Sequence, residues 1–261
     1  MDTVLAGRAA SGASGQGGQL FMSREILAGA VRTRNGFNLA CMTLDAPRGY
    51  APDLDPEELA FQMVYGPWEP MSPTELVGLM AGFPAPWWVV GGHAIEAFTK
   101  VPRHHEDIDL TIFAEHLPAL REHVAGRYHV WSAGAGTLRP VDDDHPEPHP
   151  DAGQVWLREH ALAPWRIDCI LNPSAAGRWV SRRDETHVAD LDDVTWVADD
   201  GVRYLNPEVA LLFKAKQARP KDAADLASAL PLLCAEKRRW LRDAVRRVHP
   251  DHPWIERLSE G

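Results

Sequence analysis

Cysteine is scarce in this chain. Cys41, Cys169 and Cys234 are the three present, and they stand too far apart for a zinc pattern or a disulfide framework, which suits a reducing cytoplasm. Long apolar runs are missing too: none approaches the ~20 residues that cross a bilayer. The first residues have no apolar stretch of signal-peptide length, so neither membrane insertion nor secretion is expected. Basic excess is also lacking. Lys and Arg total 27 against 37 Asp and Glu, a formal net charge of −10, which argues against nonspecific nucleic-acid binding. No internal repeat is present.

What remains has the composition of an ordinary globular protein, 45% hydrophobic and 25% charged over 261 residues, enough chain to bury a core. Residues 1–20 are small and polar, rich in Gly and Ser, and read as a flexible tail. Residues 21–66 read as an extension of unknown role, with a short helix over Ser23–Val31 and a proline-broken connector over Leu44–Asp55. The spacing of Ser72-Pro73-Thr74-Glu75 predicts a capped helix with a stripe of Leu76, Leu79 and Met80. Strands are expected at Trp87–Val90, Asp107–Phe113, Tyr128–Trp131, Gln154–Glu159, Trp165–Leu171, Trp179–Arg182 and Thr195–Val197. Helices are expected at His93–Phe98 and His116–Gly126. After Asn206 the pattern turns helical, over Glu208–Gln217, Lys221–Leu230 and Glu236–Val248. The fold class is therefore α/β (α+β): a mixed sheet with flanking helices over residues 67–205, then a helical segment over 206–261.

Candidate chemistry concentrates between Gly91 and Leu110. Asp107 and Asp109 lie two apart on an expected strand, so their side chains share a face about 6.5 Å apart. Two such carboxylates repel and add nothing to stability unless a hard cation sits between them. Mg²⁺ takes oxygen ligands of this kind together with substrate phosphates. Gly91-Gly92, between a strand and a helix, allows positive φ and close approach of backbone N–H groups to an anion at a helix N-terminus. Asp168, inside the apolar alternation of Trp165–Leu171, is a third acid in need of a reason. It is a candidate metal ligand or proton acceptor; a surface acid paired with Arg166 is the alternative. A zinc site built from His104, His105, His145 and His149 is discounted, because their spacing supplies no ligand set. His105 is expected to support the aspartates from behind.

Glycine turn, helix and Asp-x-Asp strand in this order resemble the DNA polymerase beta-like nucleotidyltransferase superfamily. Val90-Gly91-Gly92-His93-Ala94-Ile95-Glu96 and Arg103-His104-His105-Glu106-Asp107-Ile108-Asp109-Leu110 resemble the bacterial aminoglycoside and lincosamide nucleotidyltransferases in particular. Those typically read Gly-Gly-Trp-Ala-Ile-Asp and Arg-x-His-x-Asp-x-Asp, so His93 and Glu96 are departures. The resemblance extends over roughly Pro67 to Trp254 and includes Arg219-Pro220-Lys221-Asp222-Ala223-Ala224-Asp225.

The resemblance implies a nucleotidyltransferase that moves AMP from ATP, or another nucleotide from its triphosphate, to a hydroxyl, with pyrophosphate leaving. Asp107, Asp109 and Asp168 would be catalytic and hold two Mg²⁺ ions. Gly91, Gly92, His93, Arg103, Arg182, Arg183, Lys214 and Lys216 would bind the nucleotide. The acceptor would be a hydroxyl-bearing small molecule, an aminoglycoside-type antibiotic among the candidates, which would make the chain an antibiotic-resistance enzyme. A protein or RNA acceptor, or a nucleotide-binding relative without catalysis, remain as alternatives. No role is assigned to Lys221 or Asp222.

Overall fold

The computed structural model describes residues 56–134 and 136–259. The expected tail, the helix over Ser23–Val31 and the connector over Leu44–Asp55 lie outside them.

Two elements precede the first strand. Helix α1 (Pro56–Tyr65) was not legible as a helix in the sequence. Helix α2 (Pro73–Met80) forms as its caps predict: the Ser72 hydroxyl accepts from the Glu75 N–H, the Glu75 carboxylate accepts from the Ser72 N–H, and Leu76, Leu79 and Met80 are buried.

The body is an eight-stranded mixed sheet. Its strands are β1 (Trp87–Val89), β2 (Asp109–Phe113), β3 (His129–Gly134), β4 (Thr137–Pro140), β5 (Gln154–Arg158) and β6 (Ile167–Asn172). Three short strands, β7 (Ser174–Ala175), β8 (Arg178–Val180) and β9 (Val188–Ala189), form a separate small sheet. After helix α5 (Leu191–Val194), β10 (Thr195–Val197) and β11 (Arg203–Leu205) return to the large sheet, whose spatial order is β10-β11-β1-β2-β6-β5-β3-β4. The expected strand over Trp179–Arg182 is thus shorter and belongs to the small sheet. Strands β4, β7, β9 and β11 are too short to show a period of two in the sequence.

Two strands at the centre position the site. β2 pairs antiparallel with β1 and parallel with β6. The parallel pair needs a long crossover, and helix α4 (Leu117–Val124), β3, β4 and β5 lie within it. Side chains alternate as the sequence predicts: Ile108 and Leu110 are buried while Asp107 and Asp109 reach the partly exposed face, and Ile167 and Cys169 are buried on either side of Asp168.

Helix α3 (Gly91–Thr99) follows β1 without a connecting loop. It packs on helices α6 (Pro207–Ala215) and α7 (Pro220–Ala229), and α6 packs on helix α8 (Ala235–Val248). The chain closes on the single turn α9 (Trp254–Arg257). Side chains from the sheet, from α3 and from α6 to α9 form one continuous core, with Trp88, Ile95, Leu110, Leu211, Leu226, Leu241 and Trp254 among its members. A second cluster joins Phe61 and Tyr65 of α1 to Trp156 and Trp165 on the opposite part of the sheet. The Trp165 indole N–H donates to the Tyr65 carbonyl at 2.6 Å, which satisfies the one polar atom of that ring. That bond and the ring contacts hold α1 beside the β5–β6 region. No helix among the described residues is long and apolar enough to cross a membrane.

Candidate functional site

Asp109 and Asp168 are direct register partners across the parallel β2–β6 pair. Adjacent strands stand about 4.8 Å apart, so the two carboxylates are neighbours on one face. The ladder extends one residue further back, where the Asp168 N–H donates to the Ile108 carbonyl at 3.1 Å. Asp107 lies two residues before β2 begins rather than within it, and it still lines the same cleft as Asp109. The amide of Gln154, on β5, donates to Asp168 Oδ2 at 3.0 Å.

The glycine turn faces these acids. Val90 N–H donates to the Asp109 carbonyl at 3.0 Å, which ties the end of β1 to the metal-candidate strand. Gly91 then adopts φ +67°, and a Cβ on it would coincide with the Asp109 carboxylate. At Gly92 a Cβ would overlap the Arg103 guanidinium and the His105 ring. Both positions need glycine, the first for its backbone angle and both for the close approach.

Glu96 has a structural task at this site. Its carboxylate accepts from the Arg103 backbone N–H at 3.0 Å and meets His105 Nε2 at 2.7 Å. This acid on α3 therefore pins the loop that leads into β2. His105, expected to support the aspartates, bonds to Glu96 and also feels the charge of Asp107. His93 stacks on His105 with ring centroids 3.8 Å apart. Burial, helped by the charge of His105, pushes its pKa down to about 4.

These residues open onto one cleft of about 490 Å³. Asp107, Asp109 and Asp168 line it together with Gly91, Gly92, Arg103, Arg182, Arg183, Lys214 and Lys216. Of the site residues expected from sequence, His93 alone is not on its lining. Glu58 and Phe61 of α1, Glu106, Gln154, Arg219 and Lys221 line it as well and were not predicted. Pro220 at a helix start, flanked by Arg219 and Lys221, was the available signal for the last two; nothing in the sequence pointed to α1.

The charge in the cleft is divided by element. Asp109 and Asp168 come from the sheet, Arg182 and Arg183 from the turn after β8, and Lys214, Lys216, Arg219 and Lys221 from α6, α7 and their junction. Arg103, Glu106 and Asp107 come from the loop before β2, and Glu58 from α1. Buried Ser181 accepts from the N–H groups of Arg183 (3.2 Å) and Asp184 (3.3 Å), forming the turn that carries both arginines. Burial pushes the Arg182 guanidinium down to about 9, Arg183 adds to that, and the charges of Asp168 and Asp109 oppose it. Burial likewise takes Arg183 to about 10, and its guanidinium lies over the Phe213 ring at 5.2 Å. Lys216 is lowered by burial and by the two neighbouring arginines. Lys214 is buried, with Nζ at 2.9 Å from Asp225 and 3.3 Å from Asp222. Lys221 pairs with Glu106 at 2.9 Å.

Among the described residues, no group of three or more His, Cys, Asp or Glu side chains is drawn together as a metal-holding cluster. The acids come instead as an in-register carboxylate pair with Asp107 nearby. That donor set fits a hard cation, since Mg²⁺ is commonly held by one or two carboxylates, with water and substrate phosphates completing its shell.

No family model and no curated protein matches the chain. Among solved structures, it is similar to the antibiotic-resistance factor ANT(2'')-Ia in solution, at 20% identity and TM-score 0.44, over 66% of this chain and 88% of that one. A crystal structure of ANT(2'')-Ia in complex with adenylyl-2''-tobramycin aligns at 19% identity and TM-score 0.45, over 68% and 98%. The lincosamide antibiotic adenylyltransferase LnuA, bound to lincomycin, aligns at 14% and 0.42, over 61% and 97%. Similarity at this level does not bear on activity, which has to be read from the residues of the cleft.

Proposed function

We propose that the chain is a nucleotidyltransferase that transfers a nucleoside monophosphate, AMP from ATP in the first instance, to a hydroxyl of a small molecule. The observation that carries this reading is the facing of the Asp109–Asp168 pair, across one cleft, by a glycine turn and a wall of Arg and Lys side chains. A polyphosphate is the ligand class such a wall attracts.

In this reading the N–H groups at Gly91 and Gly92 receive phosphate oxygens at the start of α3. Arg103, Arg182, Arg183, Lys214 and Lys216 neutralise charge along the triphosphate. Asp107, Asp109 and Asp168 would hold Mg²⁺, which would offset charge on the α-phosphate and on the departing pyrophosphate. The acceptor oxygen forms its bond to the α-phosphorus as the bridging P–O bond to the β-phosphate breaks. In this reading Asp168 would take the hydroxyl proton or serve as a metal ligand. Positioning and charge neutralisation carry most of the work in such transfers.

Incubation with α-labelled ATP, Mg²⁺ and a panel of acceptors tests the reading. The panel includes tobramycin and lincomycin, the antibiotics named with two of the similar structures, along with lysate protein and tRNA. Label on a small molecule, with release of pyrophosphate, is the expected result. Label on protein or tRNA instead would replace the acceptor class. Nucleotide binding without any transfer would remove the catalytic reading.

A further inference from the structure

Asp222 and Asp225 lie one turn apart on α7 and are both buried. Arg103 reaches Asp225 with two prongs, Nε to Oδ1 at 3.0 Å and Nη2 to Oδ2 at 3.2 Å, while its Nη1 donates to the His104 carbonyl at 2.8 Å. Lys214 Nζ shares the same Oδ2 at 2.9 Å. Asp222 takes Lys214 on one oxygen and the Arg219 Nε on the other, at 2.8 Å, and caps its own helix by accepting the Arg219 N–H at 3.1 Å. Two acids on one helix face thus hold three cations that come from three separate stretches of chain. All three of those cations line the cleft.

Burying such a network is expensive, and a well-packed apolar set of similar volume is often as stable or more so. Stability alone is therefore a poor reason for it. A forked pair fixes a guanidinium plane in a way a single contact cannot. Here it holds Nη2 against the α-carbon of Gly92, where a Cβ would overlap it. Among the described residues these bonds use three of the five guanidinium N–H donors.

We infer that Asp225 is a positioning residue for polyphosphate binding: it does not touch the ligand but aims Arg103 and Lys214 at the phosphates beside the glycine turn. The inference rests on the polyphosphate reading of the cleft and adds a residue to it. Its sign is opposite to that of a simple charge effect. Removing a negative charge near an anion site should tighten anion binding if the acid were only an electrostatic neighbour. If it positions the cations, the same change weakens binding.

The test is titration calorimetry of the full chain with inorganic tripolyphosphate and with ATP plus Mg²⁺, alongside thermal melting. Wild-type chain should bind both probes; failure to bind either would overturn the reading of the cleft, and the inference with it. Asp225→Asn, still folded, should lose at least about tenfold in tripolyphosphate affinity, the worth of one charge-assisted hydrogen bond. The double variant with Arg103→Gln should lose clearly less than the sum of the two single losses, since the part of the Asp225 effect that runs through the Arg103 guanidinium is already gone and only the part through Lys214 remains. Unchanged or tighter binding by folded Asp225→Asn, or fully additive losses, overturns the assignment while leaving the cleft reading intact. If Asp225→Asn does not fold, Arg103→Lys asks the same question, because it keeps the charge but cannot form the fork. It should weaken binding at least about fivefold; wild-type affinity in it overturns the proposal.

Discussion

Asp109 holds its carboxylate against the α-carbon of Gly91, in the space that a side chain at that position would fill. The turn and the acid were adjacent motifs in the sequence; in the fold they are one object, because β1 and β2 pair antiparallel and the Val90 N–H is bonded to the Asp109 carbonyl. A change on either side must disturb the other.

Gly91→Ala should accordingly be costly twice over. A non-glycine residue at φ +67° carries a backbone penalty of about 1–2 kcal/mol, and the new methyl displaces the Asp109 carboxylate. A loss of roughly 2–4 kcal/mol is expected, with transfer activity falling to background. Urea unfolding and the label-transfer assay measure the two effects. A variant with near-normal stability and turnover would show that the turn tolerates a side chain and that the carboxylate's place is not critical.

Gly92→Ala separates the site from the backbone. The structure gives Gly92 no positive φ, so the main chain accepts alanine, but the methyl meets the Arg103 guanidinium and the His105 ring. Stability should fall by about 1–2 kcal/mol, since the far end of an arginine can move but the His105 ring, stacked on His93 and bonded to Glu96, has less room to give. Nucleotide affinity should drop by about tenfold or more through the displaced guanidinium. Calorimetric titration with ATP and Mg²⁺ decides the matter, and unaltered affinity would argue that Arg103 takes no part in binding.

Asp168→Asn tests the third acid. An amide there keeps the oxygen that accepts from Gln154, and it relieves the repulsion with Asp109. Stability should stay within about 1 kcal/mol of wild type, or rise. Turnover should fall by on the order of 10²–10³, the usual cost of removing one transition-state contact. If Asp168 accepts the hydroxyl proton, kcat falls while nucleotide affinity is kept. A collapse of Mg²⁺-dependent nucleotide binding with it would instead make the residue mainly a metal ligand.

Most of the cleft could be read from sequence because its parts announce themselves locally. Gly91-Gly92 breaks an apolar run, Asp107 and Asp109 alternate with buried Ile108 and Leu110, and Asp168 interrupts a strand that is otherwise apolar. Arg182 was expected at the end of a strand and lies instead, with Arg183, on the turn that Ser181 organises, a matter of a few hydrogen bonds that periodicity does not register. His93 stands off the lining for a different reason. Its position at a helix start suited phosphate, but stacking on His105 takes the ring away from the cleft lining, and that contact needs the loop held by Glu96. Helix α1 escaped altogether, since it is held in place by Trp156 and Trp165, which lie far along the chain. Asp222 looked like an ordinary helix-start acid, and it does cap its own helix through Arg219; its burial against Lys214 arises only when α6 and α7 pack together.

Asp222 also makes the fold sensitive to acid in a defined direction. Burial by itself would raise its carboxyl, but the Arg219 hydrogen bond and the charges of Lys214 and Arg219 outweigh it and hold the group below its ordinary 3.8. A carboxyl depressed in the folded state binds protons more readily once unfolded, so its contribution is complete above about pH 4 and drains away as pH falls below 3.8 through the folded value. Asp222→Asn leaves Lys214 and Arg219 short of a buried counter-charge, which should cost about 3 kcal/mol at pH 7. The gap between wild type and variant should then narrow as pH drops from 5 towards 3, because the wild type loses by protonation what the variant never had. Urea midpoints of both chains across that range give the comparison. A gap that stays constant, or widens, would mean that the carboxylate of Asp222 is not what binds these helices to the cleft wall.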